Sequence, residues 1–333
     1  MVSSKDVAKL AGVSQATVSR VMNQPDKVKP ETRKKVLQAM EQLNYKPNLI
    51  ARSLITNSTR TIALISGSLN NQFFVETTHA IIHLATKHNY QTIVFFEDEA
   101  RSKEILDIVM GNKVDGILMS NITLNDPLFE EIKQSNIPYL FFNRRPSKGG
   151  NYVVLDNLLA GKLITQHLLD LGHERIAYIS GGLNLSTFYE RKKGFEQTMQ
   201  QRKIPIDPDL VWVINPIDEE VEKATWYLMH HDHPPTGIIY ATDAMALVGM
   251  DTLMSMGYQI PEDISIAAID NNKISAHHAI QLTTVSHRKF SMGEIAVETL
   301  IQMIESDQSK LKMPKQIVLK PEIIIRKTTA SRK

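Results

Sequence analysis

Apolar positions in the opening stretch of the chain recur at helical intervals; from Thr61 onward they gather into short β-rich runs separated by longer amphipathic stretches. Ser3 and Asp6 stand at capping-box spacing ahead of Val7, Ala8, Leu10 and Ala11, which predicts a short first helix. Gly12-Val13-Ser14 interrupts it, glycine suiting a left-handed turn and Ser14 suiting the cap of a second helix from Gln15 to Met22. Val18 and Val21 then face inward with Ala8 and Val13, while Gln15, Ala16, Thr17 and Arg20 stay outside. Two short helices joined by a glycine turn predict a helix-turn-helix. Pro30-Glu31-Thr32-Arg33 opens a third helix with Val36, Leu37, Met40 and Leu43 at core spacing and Arg33, Lys34 and Lys35 outside.

The β-rich runs are Thr61–Ser66, 91–96, 114–120, 139–143, 175–180, 237–242 and 265–270, and their alternation with helical stretches predicts parallel sheets. The series repeats itself. Ile62-Ala63-Leu64-Ile65-Ser66-Gly67-Ser68-Leu69-Asn70 and Ile176-Ala177-Tyr178-Ile179-Ser180-Gly181-Gly182-Leu183-Asn184 agree at seven of nine positions, 114 residues apart. Gly116-Ile117-Leu118 matches Gly237-Ile238-Ile239 at an offset of 121, and Asn143 matches Asp270 at 127. Slowly growing offsets indicate two copies of one unit. The expected fold class is an N-terminal all-α helix-turn-helix module followed by an α/β core of two doubly wound parallel-sheet subdomains, with ligands held beyond the carboxyl ends of the strands.

Composition narrows the function. A chain of 333 residues with 42% hydrophobic and 22% charged positions can pack two or three domains and lacks a disorder signature. The absence of cysteine removes disulfides, thiolate metal sites and cysteine nucleophiles, and with no apolar export core at the N-terminus it predicts a cytoplasmic protein. The net charge of +2 conceals a division: residues 1–60 hold eleven Lys/Arg against four Asp/Glu, a net of +7, and the remainder is correspondingly −5. A basic module on an acidic body points to a polyanion bound at one end. No Walker loop or G-x-S-x-G elbow is present, and Gly181-Gly182 falls short of a dinucleotide fingerprint, so no enzyme and no cofactor are expected. His230-His231-Asp232-His233 and His277-His278 lack an established ligand spacing, so no metal is expected either.

In the major groove Gln pairs with an adenine edge and Arg with a guanine edge, which makes Gln15 and Arg20 the candidates for direct readout. In the core, polar and aromatic residues at strand ends are the candidates for a ligand site: Asn70, Asn71, Phe73 and Phe74 after the first strand, Asn143 and Arg144 after the fourth, and Arg191, Thr242 and Asp270 in the second copy. Aromatic faces with Asn, Asp and Arg suit a sugar, and arginines also admit a phosphate or carboxylate.

Lys5-Asp6-Val7-Ala8, Ala11-Gly12-Val13-Ser14, Ala16-Thr17-Val18-Ser19-Arg20-Val21 and Tyr45-Lys46-Pro47-Asn48 closely resemble the lactose-repressor (LacI/GalR) family. The resemblance extends over the core, which is similar to periplasmic sugar-binding proteins. It implies a transcriptional repressor with a helix-turn-helix at 1–46, a hinge helix and linker at 47–60, and an effector-binding and dimerisation core at 61–333. Within the core it implies one subdomain at about 61–156 plus 287–315 and a second at about 157–286 plus 316–330. The implied DNA-binding set is Ser14, Gln15, Ala16, Thr17, Arg20 and Asn23, with Ala51, Leu54 and Ile55 from the hinge. Leu54 would be the wedge in the minor groove, and Ile55 departs from the basic residue often found there. The implied effector set is Asn71, Phe73, Phe74, Asn143, Arg144, Arg191, Thr242, Asp270 and His287. Thr242 departs from a common Asn, and His287 from a common Gln. The implied partners are pseudo-palindromic double-stranded operator DNA, a sugar-like effector and a second copy of the chain, as a homodimer or tetramer, without a membrane. A nucleobase effector, a protein corepressor and a small-molecule binding protein without regulatory role are the alternatives.

Overall fold

The first helix, α1 (Ser4–Ala11), starts where the Asp6 carboxylate turns back to accept from the Ser3 backbone N–H at 2.8 Å and from its hydroxyl at 2.7 Å. It stops at Gly12, whose φ of 66° is the left-handed geometry a glycine adopts without cost. The second helix, α2 (Gln15–Asn23), begins with the Thr17 N–H on the Ser14 hydroxyl at 3.1 Å. A short 3₁₀ turn, Pro25–Lys27, leads to α3 (Pro30–Gln42). Val7, Ala8, Val18, Val21, Val36 and Ala39 form a shared core, with Val13, Met40 and Leu43 packed against it. Leu37, expected inside, is 47% exposed. The buried stripe runs through 36, 39, 40 and 43, and 37 lies about 100° round the helix from 36. The computed structural model describes all residues except 1, 24, 47–57, 97–100, 288–290, 307–312 and 333. The chain divides into two compact units, Met1–Thr59 and Arg60–Lys333.

The larger unit holds two six-stranded sheets of matching order. The first is built from β1 (Thr61–Ser66), β2 (Gln91–Phe96), β3 (Gly116–Met119), β4 (Tyr139–Phe142), β5 (Tyr152–Leu155) and β11 (Gln316–Leu319), ordered β11-β5-β4-β3-β1-β2. The second comprises β6 (Ile176–Ser180), β7 (Val211–Val213), β8 (Gly237–Tyr240), β9 (Ser265–Ile269), β10 (Thr283–Ser286) and β12 (Glu322–Ile324), ordered β12-β10-β9-β8-β6-β7. Every pairing is parallel except β10 with β12. The 114-residue repeat is thus a repeat of position, since β1 and β6 stand at the same place in the two sheets. Central strands such as β1 and β6 are buried almost throughout, as strands covered on both faces must be, and edge strand β2 alternates.

The chain crosses between sheets after β5, after β10 and between β11 and β12. The last crossing corrects the expected partition. Residues 316–319, expected in the second subdomain, form β11, which pairs with β5 from Gln316 opposite Tyr152 to Leu319 opposite Leu155, so they belong to the first sheet. Five strands, β5, β7, β10, β11 and β12, are absent from the sequence reading. They have three or four residues each and are strands by virtue of their pairing partners. Among the described residues, no helix is long and apolar enough to cross a membrane.

In the second lobe the helices Asn157–Asp170 and Ser186–Gln201 pack with glycine against backbone. A Cβ on Gly161 would stand 2.1 Å from the Arg191 carbonyl oxygen, and one on Gly194 would stand 2.3 Å from that of Leu158. Backbone cannot yield as a side-chain tip can, so overpacking here costs about 1–3 kcal/mol. Gly161→Ala is expected to lower the melting temperature by several degrees in a thermal scan. Gly111→Ala, where a Cβ meets nothing within 4 Å, is expected to leave it unchanged or raise it.

Candidate DNA-reading helix and effector cleft

On α2 the side chains of Ser14, Gln15, Ala16 and Arg20 are exposed, Thr17 is half-buried, and Val18 and Val21 form the floor. Three members of the expected reading set are already engaged. Ser14 caps the helix and shares a 2.9 Å hydroxyl contact with Thr17, and Gln15 Nε2 donates to Ser4 Oγ at 2.9 Å. The Gln15 bond orients the amide beside the start of α1, leaving its oxygen to accept from a base edge. Asn23 ends the helix. Arg33, Lys34 and Lys35 are exposed on α3, in keeping with phosphate anchoring. Ala51, Leu54 and Ile55 lie outside the described residues.

In the larger unit a cavity of about 740 Å³ opens between the two lobes at the carboxyl ends of β1, β6, β7 and β8. Four of the nine expected effector residues line it: Asn71, Phe74, Arg144 and Thr242. Asn71 and Thr242 are helix caps, accepting from the Phe73 N–H at 3.0 Å and the Met245 N–H at 3.2 Å. Their side chains hold the helix starts at the cavity wall and keep further lone pairs for a ligand. The Arg144 guanidinium stands 5.9 Å from the centre of the Phe74 ring.

The repeat also supplies residues that the sequence reading passed over. Phe74 packs so closely on Gly67 that a Cβ there would lie 2.4 Å from the ring; Phe188, 114 residues later, packs in the same way on Gly181, at 2.3 Å. Phe188, Asn184 and Ser68 all line the cavity. Phe188 stands at the 114-residue offset from Phe74, whereas the lining segment 214–219, which runs from the end of β7 into the helix Asp218–Met229, carries no comparable signal. Asn121, just past β3, is 5% exposed and its Oδ1 accepts no hydrogen bond among the described residues, an orphaned acceptor at the same end of the sheet.

The other five expected residues do not line the cavity. Phe73 packs edge-on against Phe74 with ring centres 5.2 Å apart, and Asn143 adopts a left-handed turn at φ 65°. His287 follows β10, and burial holds its imidazole below the usual histidine range. Arg191 and Asp270 are paired with each other. Arg191 is 2% exposed; its NH2 donates to Asp270 Oδ1 at 3.0 Å, its Nε to Asn157 Oδ1 at 2.8 Å, and its NH1 to the Ala241 carbonyl. Beside them the buried Asp243 accepts from the Asn272 N–H at 2.9 Å, the Ser275 hydroxyl at 2.6 Å and the Thr284 hydroxyl at 2.5 Å. Three protein groups answer this guanidinium, and the pair braces the strand ends behind the cavity.

The histidine runs serve local structure. His230 stacks on Trp226 at 3.7 Å, and His231 Nδ1 accepts from the His233 N–H at 3.0 Å. Among the described residues no group of three or more His, Asp or Glu side chains could hold a metal.

Two family models match the chain: the bacterial regulatory proteins of the lacI family over residues 4–48, and the periplasmic binding protein-like domain over residues 165–329. The HTH-type transcriptional repressor PurR of Aliivibrio salmonicida is 32% identical, with 98% of this chain and 99% of that protein covered. A solved structure of the Lac repressor dimer bound to operator and the anti-inducer ONPF superposes with a TM-score of 0.86 at 26% identity, covering 99% of each chain. A complex of the transcriptional regulator CelR with cellobiose superposes at 0.73 with 26% identity, covering 98% of this chain and all of that one.

Burial pushes the Asp270 carboxyl up from 3.8 to about 7, against the pull of Arg191 and with Asp243 adding to the rise. A carboxyl raised on folding binds its proton more tightly in the native state, so its contribution to stability is full at low pH and is lost as pH climbs toward about 7. Asp270→Asn removes that titration. Melting temperatures measured from pH 4 to 8 are expected to show wild type losing ground to the variant up to about pH 7 and running parallel to it above. A difference independent of pH would dismiss Asp270 as the source.

Proposed function

The chain belongs to the lacI family of bacterial regulatory proteins, and from that premise we propose that it is a repressor whose α2 reads an operator while the interlobe cavity binds a sugar or sugar phosphate. It is a DNA-binding transcriptional regulator controlled by a small molecule, and it is not an enzyme. Three features support the reading of α2: its exposed Gln15, Ala16 and Arg20, its buried Val18 and Val21, and the net charge of +7 over the first sixty residues. The protein acts as a homodimer, because one small helix-turn-helix makes few base contacts and two related by a twofold match a pseudo-palindrome. The operator complex of the related Lac repressor is that of a dimer. Leu54 from each hinge enters the minor groove at the centre of the site.

The observation that carries the effector assignment is the matched pair Phe74 and Phe188 lining one cavity with Asn71, Asn184, Thr242 and Arg144. Aromatic faces receive the C–H faces of a pyranose, while amides and hydroxyls pair with its hydroxyls. Arg144 adds a donor fork for a phosphate or ring oxygens. The volume of about 740 Å³ accommodates a disaccharide as well as a monosaccharide, and the structurally similar CelR was solved with cellobiose. The same two rings also suit a planar nucleobase, which is the second reading.

Arg20→Ala is expected to weaken binding to DNA upstream of the neighbouring genes by roughly 5- to 150-fold, the equivalent of one bidentate base contact at about 1–3 kcal/mol. A gel-shift titration checks it, and equal binding of wild type and variant to native and scrambled sites would remove Arg20 from the reading set. For the effector, calorimetry of the full chain against monosaccharides, disaccharides, sugar phosphates and nucleobases is expected to give heat with a sugar. Phe188→Ala and Arg144→Ala should each weaken that binding by about tenfold or more, near 1.4 kcal/mol. Heat with nucleobases alone would replace the sugar by the second reading.

A further inference from the structure

Arg144 and Arg145 follow the carboxyl end of β4 and are divided between the cavity and the facing lobe. Arg144 lines the cavity. Arg145 crosses to the second lobe, where its backbone N–H donates to Ser186 Oγ at 2.9 Å and its NH2 to Glu190 Oε1 at 2.6 Å, with its guanidinium 5.6 Å from the centre of the Tyr152 ring. The same rim carries a second bridge, from the Leu124 N–H to the Asn184 carbonyl at 2.8 Å, and the Ser147 N–H returns to the Leu124 carbonyl at 2.7 Å. Across the cleft the Lys273 N–H donates to Glu76 Oε1 at 2.9 Å.

Consecutive residues are divided in the same way on the facing helix Ser186–Gln201. Glu190 reaches the first lobe, and Arg191 turns inward to Asp270 at the end of β9. The helix is therefore gripped from both sides, by the first lobe through one residue and by the support behind the cavity through the next. The Arg145 and Glu190 side chains are 33% and 17% exposed, so their attraction is screened less than that of a surface pair. Burial raises the Glu190 carboxyl above its usual range and Arg145 opposes that rise, so the Glu190 charge depends on Arg145 for its compensation.

We propose that Arg145 and Glu190 form an electrostatic latch that sets the equilibrium between open and closed lobes, making Arg145 a positioning residue for the effector response. Its regulatory meaning rests on the effector-controlled reading above. A ligand that draws Arg144 shifts the strand end to which Arg145 is joined, and one that presses on the cavity wall shifts the helix that presents Glu190. Cleft occupancy and the latch are thereby linked through two pairs of adjacent residues. A ligand moves such an equilibrium only by its differential affinity for the two states, so latch strength determines how much effector is needed.

The chain has no cysteine, so two introduced thiols are the only ones to take a label. Gln134→Cys on the first lobe and Gln200→Cys on the second, both at exposed positions, would be spin-labelled in the full chain, diluted with unlabelled chain, and the interlobe distance measured by pulsed electron paramagnetic resonance. Arg145→Gln and Glu190→Gln are each expected to shift the distribution to longer distances and broaden it. The exchanged pair, Arg145→Glu with Glu190→Arg, is expected to return it toward the parent, which loss of packing alone would not do. An unchanged distribution in either single variant, or an exchanged pair that behaves like the single variants, overturns the latch. The measurement needs no effector, so its failure is separate from a failure of the sugar reading, which the calorimetry tests.

Discussion

The buried Arg191 guanidinium is the interaction on which the second lobe depends. It joins four elements that are distant in sequence: the start of the helix Asn157–Asp170 through Asn157, its own helix, the end of β8 through the Ala241 carbonyl, and the end of β9 through Asp270. A charge so deeply placed needs partners, and removing one member of such a pair commonly costs about 3–5 kcal/mol because the other is left uncompensated. Its cradle exists because Gly161 and Gly194 let the two helices touch backbone to backbone. Beside it, Asp243 repeats the logic with three donors from β10 and the loop after β9. The strand ends at the cavity wall are held by polar bonds with defined directions, which apolar packing alone would not impose.

That rigidity gives the cleft something to move against. The first lobe meets the second through a small set of polar bridges, and the backbone joins the lobes in three places. Two sheets joined by three backbone crossings are the structural condition for a hinge, in which small changes at a ligand site become rotations of whole bodies. The helix-turn-helix module carries none of this machinery. Its surface is polar and basic, and its floor is a cluster of small aliphatics.

Much of this was legible in residue order alone. The glycine turn, the capping residues and the inward valines specify the helix-turn-helix because each is a local signal acting over three or four residues. Leu37 was misplaced because residues 36 and 37 are both apolar and only contact with α1 and α2 decides which one faces in. The short strands β5, β7 and β10 to β12 escaped because their pairing partners, and not their own patterns, make them strands. Phe188 was recoverable from the repeat, whereas the bond between Arg191 and Asp270 was not, because it joins residues 79 positions apart.

The sequence by itself therefore determined the class of fold, the basic reading module and the doubled α/β core, because periodicity, charge division and internal repetition are properties of order along the chain. Only the tertiary structure decided which strand-end residues line the cavity, where β11 belongs, and that Arg145 meets Glu190. Those pairings join residues tens to hundreds of positions apart, and a side chain that can serve a ligand can equally serve a buried neighbour. Which it does depends on distance and on what else has satisfied its hydrogen bonds, and those are fixed only once the chain has folded.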